Sequence, residues 1–454
     1  MSLIIYVVLI WAVVAVSRHG PEKATVMVYL PVLLLLPDTY HANTPGLPDP
    51  SFNQAAILPI AAMAALRWLP QWKPSVADLL AVSFTAAVAY SEYLAAGYAE
   101  AQNIIFTMLT GALAPYLLAR WCIAPARLHV AAARTFAGLL FFLAVFGLIE
   151  AKMGFNPFHA ALERFFPGQG GWVTTFRHGL ARVAGPYSHA ILAGMMMVMA
   201  YRFQRWLEWG GHWEPKFSRV PLPWSKGRVM TVGLFLGCLM TVARGPWLGG
   251  LAGGAFAFIG RSRNKKKTFW IVMGLLVATG VPALIAFANY LDVAPGMPMT
   301  MSQESAVYRK VLMDKYADIA LDHAWLGWGR NTWPKVPGME SIDNYYLLLS
   351  LMHGVLATLL LVGLMLWLSI RLLVHGLNEP PGHNSLAFCF LGVILSVLVS
   401  LATVYLGENV LPAFFFIAGW AEGFLQNPAS DPGYEAGQLS EPAGVRPRFQ
   451  HIIG

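Results

Sequence analysis

Arginines stand at the borders of long apolar runs in this chain, where a charge needs a reason. Arg244 interrupts Thr241-Val-Ala-Arg-Gly-Pro246 between two such runs. A guanidinium there is costly unless it meets water, a carboxylate or an anionic ligand. A structural ion pair or snorkelling to lipid headgroups is the alternative use. Arg182 opens Arg182-Val-Ala-Gly-Pro-Tyr-Ser-His189, where Gly185-Pro186 marks a turn and an apolar helix over 187–202 follows. An arginine beside a helix N-terminus favours an anion. Arg177 and His178 either join it or face water, and Arg309 follows Tyr308 in the longest connection. Such planar, permanently charged groups clamp phosphate oxygens and stabilise negative charge on a departing phosphate. A hydroxyl nucleophile also needs its proton removed, for which Asp343, His323, Asp322, Glu304 and Glu408 are the available groups.

The frame that must hold these residues is a membrane bundle. Of 454 residues only 12% are charged and 57% are hydrophobic, which excludes an ordinary soluble enzyme and a disordered or fibrous chain. Cys122, Cys238 and Cys389 lie in apolar runs without CxxC spacing and read as packing residues. Apolar segments near 3–17, 24–37, 54–69, 77–96, 104–123, 134–150, 187–202, 229–243, 246–260, 268–289, 344–374, 385–405 and 410–425 predict an all-α, polytopic bundle of about 12–13 transmembrane helices. The first is read as a retained helix, since it lacks a basic leader and a cleavage site. The segment 344–374 is long enough to include an interfacial turn at Gly354.

Sidedness follows from the basic cluster Arg261, Arg263, Lys265, Lys266 and Lys267, because short Lys/Arg-rich connections stay cytoplasmic. Alternation then puts 18–23, 67–76, 120–134 and 203–228 on the same side, and 38–53, 97–103, 151–186, the Arg244 turn and 290–343 on the other. The resulting plan is N-terminal transmembrane helices over 1–150, an outer loop over 151–186, and central helices over 187–289. A large outer loop over 290–343, C-terminal helices over 344–425 and a disordered cytoplasmic tail over 426–454 complete it. In the large loop, Tyr308, Leu312, Tyr316, Ile319 and His323 recur at helical spacing and predict an amphipathic helix lying on the membrane. Trp325, Trp328 and Trp333 are either interface anchors or sugar-stacking rings. Past Arg330, the polar Ser341-Ile-Asp-Asn-Tyr-Tyr346 places Asp343, Asn344 and Tyr345 at the outer mouth of the next helix. His189 and His353 read as satisfied structural histidines, and Gly245, Gly249, Gly250, Gly253 and Gly254 as a device for close helix packing.

The order Arg182-Val-Ala-Gly-Pro, Thr241-Val-Ala-Arg-Gly, Tyr308-Arg309 with Leu326-Gly-Trp-Gly329, then Asp343-Asn-Tyr-Tyr-Leu347 resembles the O-antigen ligase and O-antigen polymerase superfamily across about 180–365. The resemblance implies a multi-pass glycosyltransferase of the C-type architecture in the bacterial inner membrane. Its donor would be an undecaprenyl-diphosphate-linked glycan on the periplasmic face, with no nucleotide sugar, metal or cofactor. It would give Arg182, Arg244 and Arg309 the donor diphosphate. Ligases of this kind commonly carry a histidine where this chain has Asp343, which turns the reading towards a polymerase of O-antigen or exopolysaccharide repeat units, with Asp343 as the base. The catalytic set is then Asp343, Arg244 and Arg182. The substrate-binding set is Arg309, Arg177, His178, His323, Arg330, Asn344, Tyr345 and Glu408, the last either contacting substrate or pairing with an arginine.

The sequence holds no GxxxxGK[ST] loop, no GxGxxG after a strand, no HExxH and no DxD pair. The basic excess of +8, 31 minus 23, suits membrane lipids and gives no support for nucleic acid. Competing readings are a ligase acting on lipid A core, a protein O-oligosaccharyltransferase, and a noncatalytic partner of a chain-length regulator or other polysaccharide assembly proteins. A lipid-linked oligosaccharide flippase is the rival from another class, but transporters put their charges near the midplane of repeated halves, and no internal repeat is found.

Overall fold

The computed structural model describes residues 3–42, 49–170, 174–177, 179–216, 223–292, 298–339, 341–407 and 409–428. Each of the thirteen apolar segments falls on a helix, and the architecture is that of an all-α polytopic membrane protein. The first half comprises α1 (Ile4–Ala24), α2 (Leu30–Leu35), α3 (Phe52–Trp68), α4 (Val76–Met108), α5 (Ala114–Cys122) and α6 (His129–Met153). The second comprises α8 (Ala190–Trp209), α9 (Lys226–Met240), α10 (Arg244–Arg261), α11 (Lys265–Leu291), α13 (Tyr345–Asn378), α14 (Leu386–Ser400) and α15 (Val410–Gln426). Outside them lie a short α7 (Pro157–Leu162), the loop helix α12 (Met301–Asp322) and a two-stranded hairpin of β1 (Phe176–Arg177) and β2 (Leu180–Ala181).

Among the described residues, six helical stretches are long and apolar enough to cross a bilayer: Ile4–Leu35, Phe52–Gln71, Val76–Cys122, His129–Met153, Lys265–Leu291 and Tyr345–Asn378. The six hold eight of the thirteen expected segments, and α8, α9, α10, α14 and α15 carry the other five without meeting that measure. Ile4–Leu35 and Val76–Cys122 each hold two expected segments, divided at Gly20 and Gly97, whose φ of +77° interrupts the helix at a conformation open to glycine. Leu386–Ser400 and Val410–Gln426 are apolar but short. The π-helical turns Thr25–Tyr29 and Leu109–Leu113 each end two residues before a proline, Pro31 and Pro115, and so contain the i−4 carbonyl that the ring would clash with in a regular helix.

The turn at Gly354 is present (φ +82°), and it reverses the chain sharply enough for Ser350 and Thr358 to meet at 2.8 Å between hydroxyls. The glycine is needed because the 324–329 segment packs onto the break, with Val355 N–H donating to Ala324 O and Trp328 N–H to Leu351 O. Gly249 and Gly253 let α10 lie directly on the Ser396 and Gly392 backbone of α14, as the small-residue stripe suggests. The three cysteines are buried.

Contacts sort the connections into two sets. At one end Arg67 meets Glu22 at 3.1 Å, Arg120 pairs with Asp78, Lys265 meets Glu379 at 2.6 Å and Arg371 meets Glu422 at 2.5 Å. At the other end Tyr40 bonds His159, His41 bonds Gln169, Asn409 bonds the 33–38 backbone, and Arg330 N–H donates to Glu92. These are the groupings that charge alternation assigns to the two sides.

The loop helix corrects one expectation. Leu312, Tyr316 and Ala320 of α12 are buried against Trp333, Ile342, Leu347 and Leu351, so its apolar face closes a small core of its own instead of lying on the membrane. Trp333 is part of that core, edge-on to Tyr316 at 5.7 Å, and Trp328 donates from Nε1 to Ile319 O; of the three tryptophans only Trp325 is largely exposed. The proposed tail over 426–454 lies outside the described residues beyond Pro428.

Candidate functional site

The site assembles around the turn from α9 to α10. Val242 holds φ +46°, a conformation costly for a β-branched residue, by about 1–3 kcal/mol. The strained turn presents two carbonyls to two arginines: Arg182 Nε donates to Thr241 O at 3.2 Å, and Arg177 Nη1 donates to Val242 O at 3.2 Å. The β1–β2 hairpin supplies both, since its strands end at Arg177 and immediately before Arg182. Arg244 comes three residues after Thr241, exposed, as the first residue of α10. The first turn of α10 carries no acidic residue, so a cation sits at the positive end of its dipole, an arrangement that an external anion relieves.

Burial sharpens the case at Arg182. It is 7% exposed, and among the described residues its Nη2 has no hydrogen-bond partner. Burial first, then the Arg177 charge, lowers its pKa. A buried guanidinium with an unused donor calls for an acceptor, and a second arginine on the same turn, with Arg244 just beyond it in the chain, favours an anionic one.

The segment that carries Arg182 is pinned from below. Glu150, at the end of α6 and almost fully buried, accepts from Ala184 N at 3.2 Å and Gly185 N at 2.9 Å, and from Asn156 Nδ2 at 3.3 Å. Val183 sits over Gly147, where a Cβ would collide with it, and its N–H donates to Met240 O at 3.1 Å. Sequence reading missed Glu150. The one signal was a lone acid in the last turn of an apolar run.

On the other side lies Asp343, 3.6 Å from Arg309 Nη2, a charge contact longer than a hydrogen bond and open to solvent on both partners. Between the two halves stands His189, just before the first residue of α8, whose Nδ1 accepts from Ile191 N at 3.1 Å. Its pKa is lowered by burial first, then by Arg182; Asp343 opposes this and Arg177 adds to it. One imidazole thus senses the charges of both halves. His189 caps a helix, as a structural histidine would, and it lies within the field of Arg182, Asp343 and Arg177.

Other expected residues fall into place differently. Asn344 caps α13, its Oδ1 accepting from Tyr346 N at 3.0 Å and Leu347 N at 3.3 Å, while Nδ2 points to Met313 Sδ at 3.5 Å. Tyr345 is buried, with its N–H on Leu401 O. His323 lies past the far end of α12, about 20 Å from Arg309 at 1.5 Å per residue, with its ring 3.7 Å from that of Trp328. Asp322 shares that end, and Glu304 stands in the first turn of α12. Arg330 is also apart, lining a polar cleft with Asp38, His41 and Asp49. His178 and Glu408 lie outside the described residues. His353 is satisfied by Ser91 Oγ at 2.9 Å, the structural role expected of it.

Fold and site together define a polytopic helical membrane protein with a cluster of arginines and a carboxylate at one end of its bundle. The family model described as O-Antigen ligase matches residues 229–362, a segment of the chain whose similarity supports the O-antigen ligase/polymerase superfamily. The match takes in Arg244, Arg309 and Asp343, and leaves Arg177, Arg182 and His189 to the preceding chain. No curated protein matches the chain.

Proposed function

We propose that the protein is a membrane glycosyltransferase that moves an undecaprenyl-diphosphate-linked glycan onto a sugar hydroxyl on the periplasmic face of the bacterial inner membrane. Its product would be a longer lipid-linked chain of O-antigen or exopolysaccharide repeat units. The observation that carries this reading is the unused, buried Nη2 of Arg182 within a cluster of arginines facing the α9–α10 turn.

Breaking the bond between an anomeric carbon and a phosphate leaves negative charge on the diphosphate and oxocarbenium character on the sugar. Arg182 and Arg244 take the diphosphate oxygens, with Arg177 beside them. Each such donor is worth roughly 3–4 kcal/mol of transition-state stabilisation in a partly dehydrated site. Asp343 accepts the proton of the attacking hydroxyl, which contributes about 10² to 10⁴ in rate. Arg309, 3.6 Å away, places a positive charge beside the Asp343 carboxylate. Direct displacement inverts the anomeric carbon, and no step requires a metal.

A ligase that transfers the glycan to lipid A core is the second reading, favoured by the description of the matching family. Reconstitution with an undecaprenyl-diphosphate oligosaccharide, offering a lipid-linked repeat and lipid A core as alternative acceptors without metal or ATP, separates the two. Elongated lipid-linked product supports the polymerase and modified core the ligase; transfer to neither removes both. Asp343→Asn tests the base: a rate and pH profile equal to wild type would show that the proton leaves by another route.

A further inference from the structure

Next to the arginine cluster a cavity of about 240 Å³ opens between the turn at 37–40, α7 and the Gly185–Ser188 stretch that follows Arg182. On its polar wall two side chains distant in sequence meet, Tyr40 and His159, and Glu163 backs the imidazole from outside the lining. Tyr40 hydroxyl meets His159 Nδ1 at 2.8 Å, and His159 Nε2 faces Glu163 Oε2 at 3.4 Å. Burial first, then Glu163, raises the Tyr40 pKa. Asn156 ties the floor together, donating from Nδ2 to Gly185 O at 2.7 Å. Gln169 closes another side by pairing with both backbone groups of His41, at 2.9 and 3.2 Å.

The lining suits one chemical class. Among the described residues no arginine, lysine, aspartate or glutamate lines the cavity, and the lining combines amide and hydroxyl groups with the rings of Phe158 and Tyr187. Hydroxyl-rich edges and an apolar face are the properties of a sugar ring. Gly170 keeps the space open, because a Cβ there would collide with the His159 imidazole and come within 2.9 Å of the Tyr40 hydroxyl. Thr39 and Gln169 also line the cleft of about 730 Å³ that reaches Arg330, which gives a chain of sugars room to continue.

We propose that this cavity is a subsite for one uncharged sugar unit of a glycan chain, held by the Tyr40–His159 pair against the rings of Phe158 and Tyr187, with the rest of the chain following the cleft towards Arg330. The proposal rests on glycan transfer being the activity and names where the glycan is gripped; the glycan is that of either the lipid-linked donor or the acceptor.

The test uses the full-length protein in lipid nanodiscs and three probes: an undecaprenyl-diphosphate oligosaccharide, undecaprenyl diphosphate alone, and the oligosaccharide released from it. The free oligosaccharide is expected to bind wild type and Arg182→Ala alike, and at least tenfold more weakly to Gly170→Val and to His159→Ala. Undecaprenyl diphosphate alone should bind both cavity variants as it binds wild type. A free oligosaccharide that does not bind wild type, or that binds both cavity variants with unchanged affinity, overturns the subsite. Full binding of undecaprenyl diphosphate by Arg182→Ala instead removes the proposed role of the arginines and leaves the subsite standing. In the transfer assay, His159→Ala should raise KM at least tenfold for one substrate with little change in kcat. An effect on the lipid-linked donor assigns the subsite to the donor glycan, one on the acceptor assigns it to the acceptor, and no effect on either overturns it.

Discussion

Arg182 spends its Nε on the Thr241 carbonyl at 3.2 Å and keeps Nη2 buried without a partner among the described residues. One side chain is thereby locked to the turn that carries Arg244 while retaining a donor for something else. A lysine has a single donating nitrogen and no rigid fork with which to do both. Arg182→Lys is expected to fold normally and to lose about 10²-fold in transfer, close to the loss in Arg182→Ala. Turnover in proteoliposomes, with gel filtration as the check on folding, measures this. A lysine variant within threefold of wild type would show that charge alone suffices.

Glu150 should matter without touching substrate. Its removal orphans the Ala184 and Gly185 N–H groups in a buried setting, at about 1–3 kcal/mol each. Glu150→Ala is expected to lower the thermal unfolding midpoint and reduce turnover together, and Glu150→Gln, which keeps an acceptor oxygen, to lie between. An alanine variant with a wild-type midpoint would mean that the loop is held by other contacts.

The strained Val242 makes a separable prediction. Glycine accepts φ +46° freely, so Val242→Gly relieves strain of about 1–3 kcal/mol while loosening the turn between Arg182 and Arg244. The midpoint should hold or rise as turnover falls severalfold. A midpoint lowered as much as by an ordinary truncation of a half-buried valine would contradict the strain.

His189 ties stability to pH. Its folded pKa lies below the ordinary value of 6.5, through burial first and the Arg182 charge next, so the native state binds fewer protons than the unfolded chain. Its contribution is complete above about pH 6.5 and is lost as pH falls from there through the depressed value. Arg177 works in the same direction and Asp343 against it. His189→Asn keeps a helix-capping oxygen but does not titrate, and should lose less of its unfolding midpoint than wild type between pH 7 and 5. Parallel curves for the two proteins would remove His189 as the source.

Much of this was legible in the residues. Apolar run lengths located the helices of the bundle but not the short α7, helical spacing located α12, and the reversal at Gly354 could be anticipated because 344–374 exceeds one bilayer crossing. Arg177, Arg182 and Arg244 share a turn because the chain alternates sides between them, which the basic loops reveal. What stayed hidden depends on long-range contact. Tyr40 and His159 are 119 positions apart, and no local pattern pairs them. Trp333 looked like an interface anchor because a tryptophan near a membrane edge and one closing a small loop core have the same neighbours in sequence. His189 was read as structural because capping gives a complete reason for a histidine before a helix; its place between Arg182 and Asp343 exists only in three dimensions.

The most direct measurement is single-turnover transfer from an undecaprenyl-diphosphate oligosaccharide by Arg244→Ala, beside binding of undecaprenyl diphosphate by the same protein. The account predicts a rate at least 10²-fold below wild type in a protein that still inserts and folds, with weakened binding of the diphosphate lipid. Transfer within a few-fold of wild type, or a diphosphate affinity left unchanged, would contradict it.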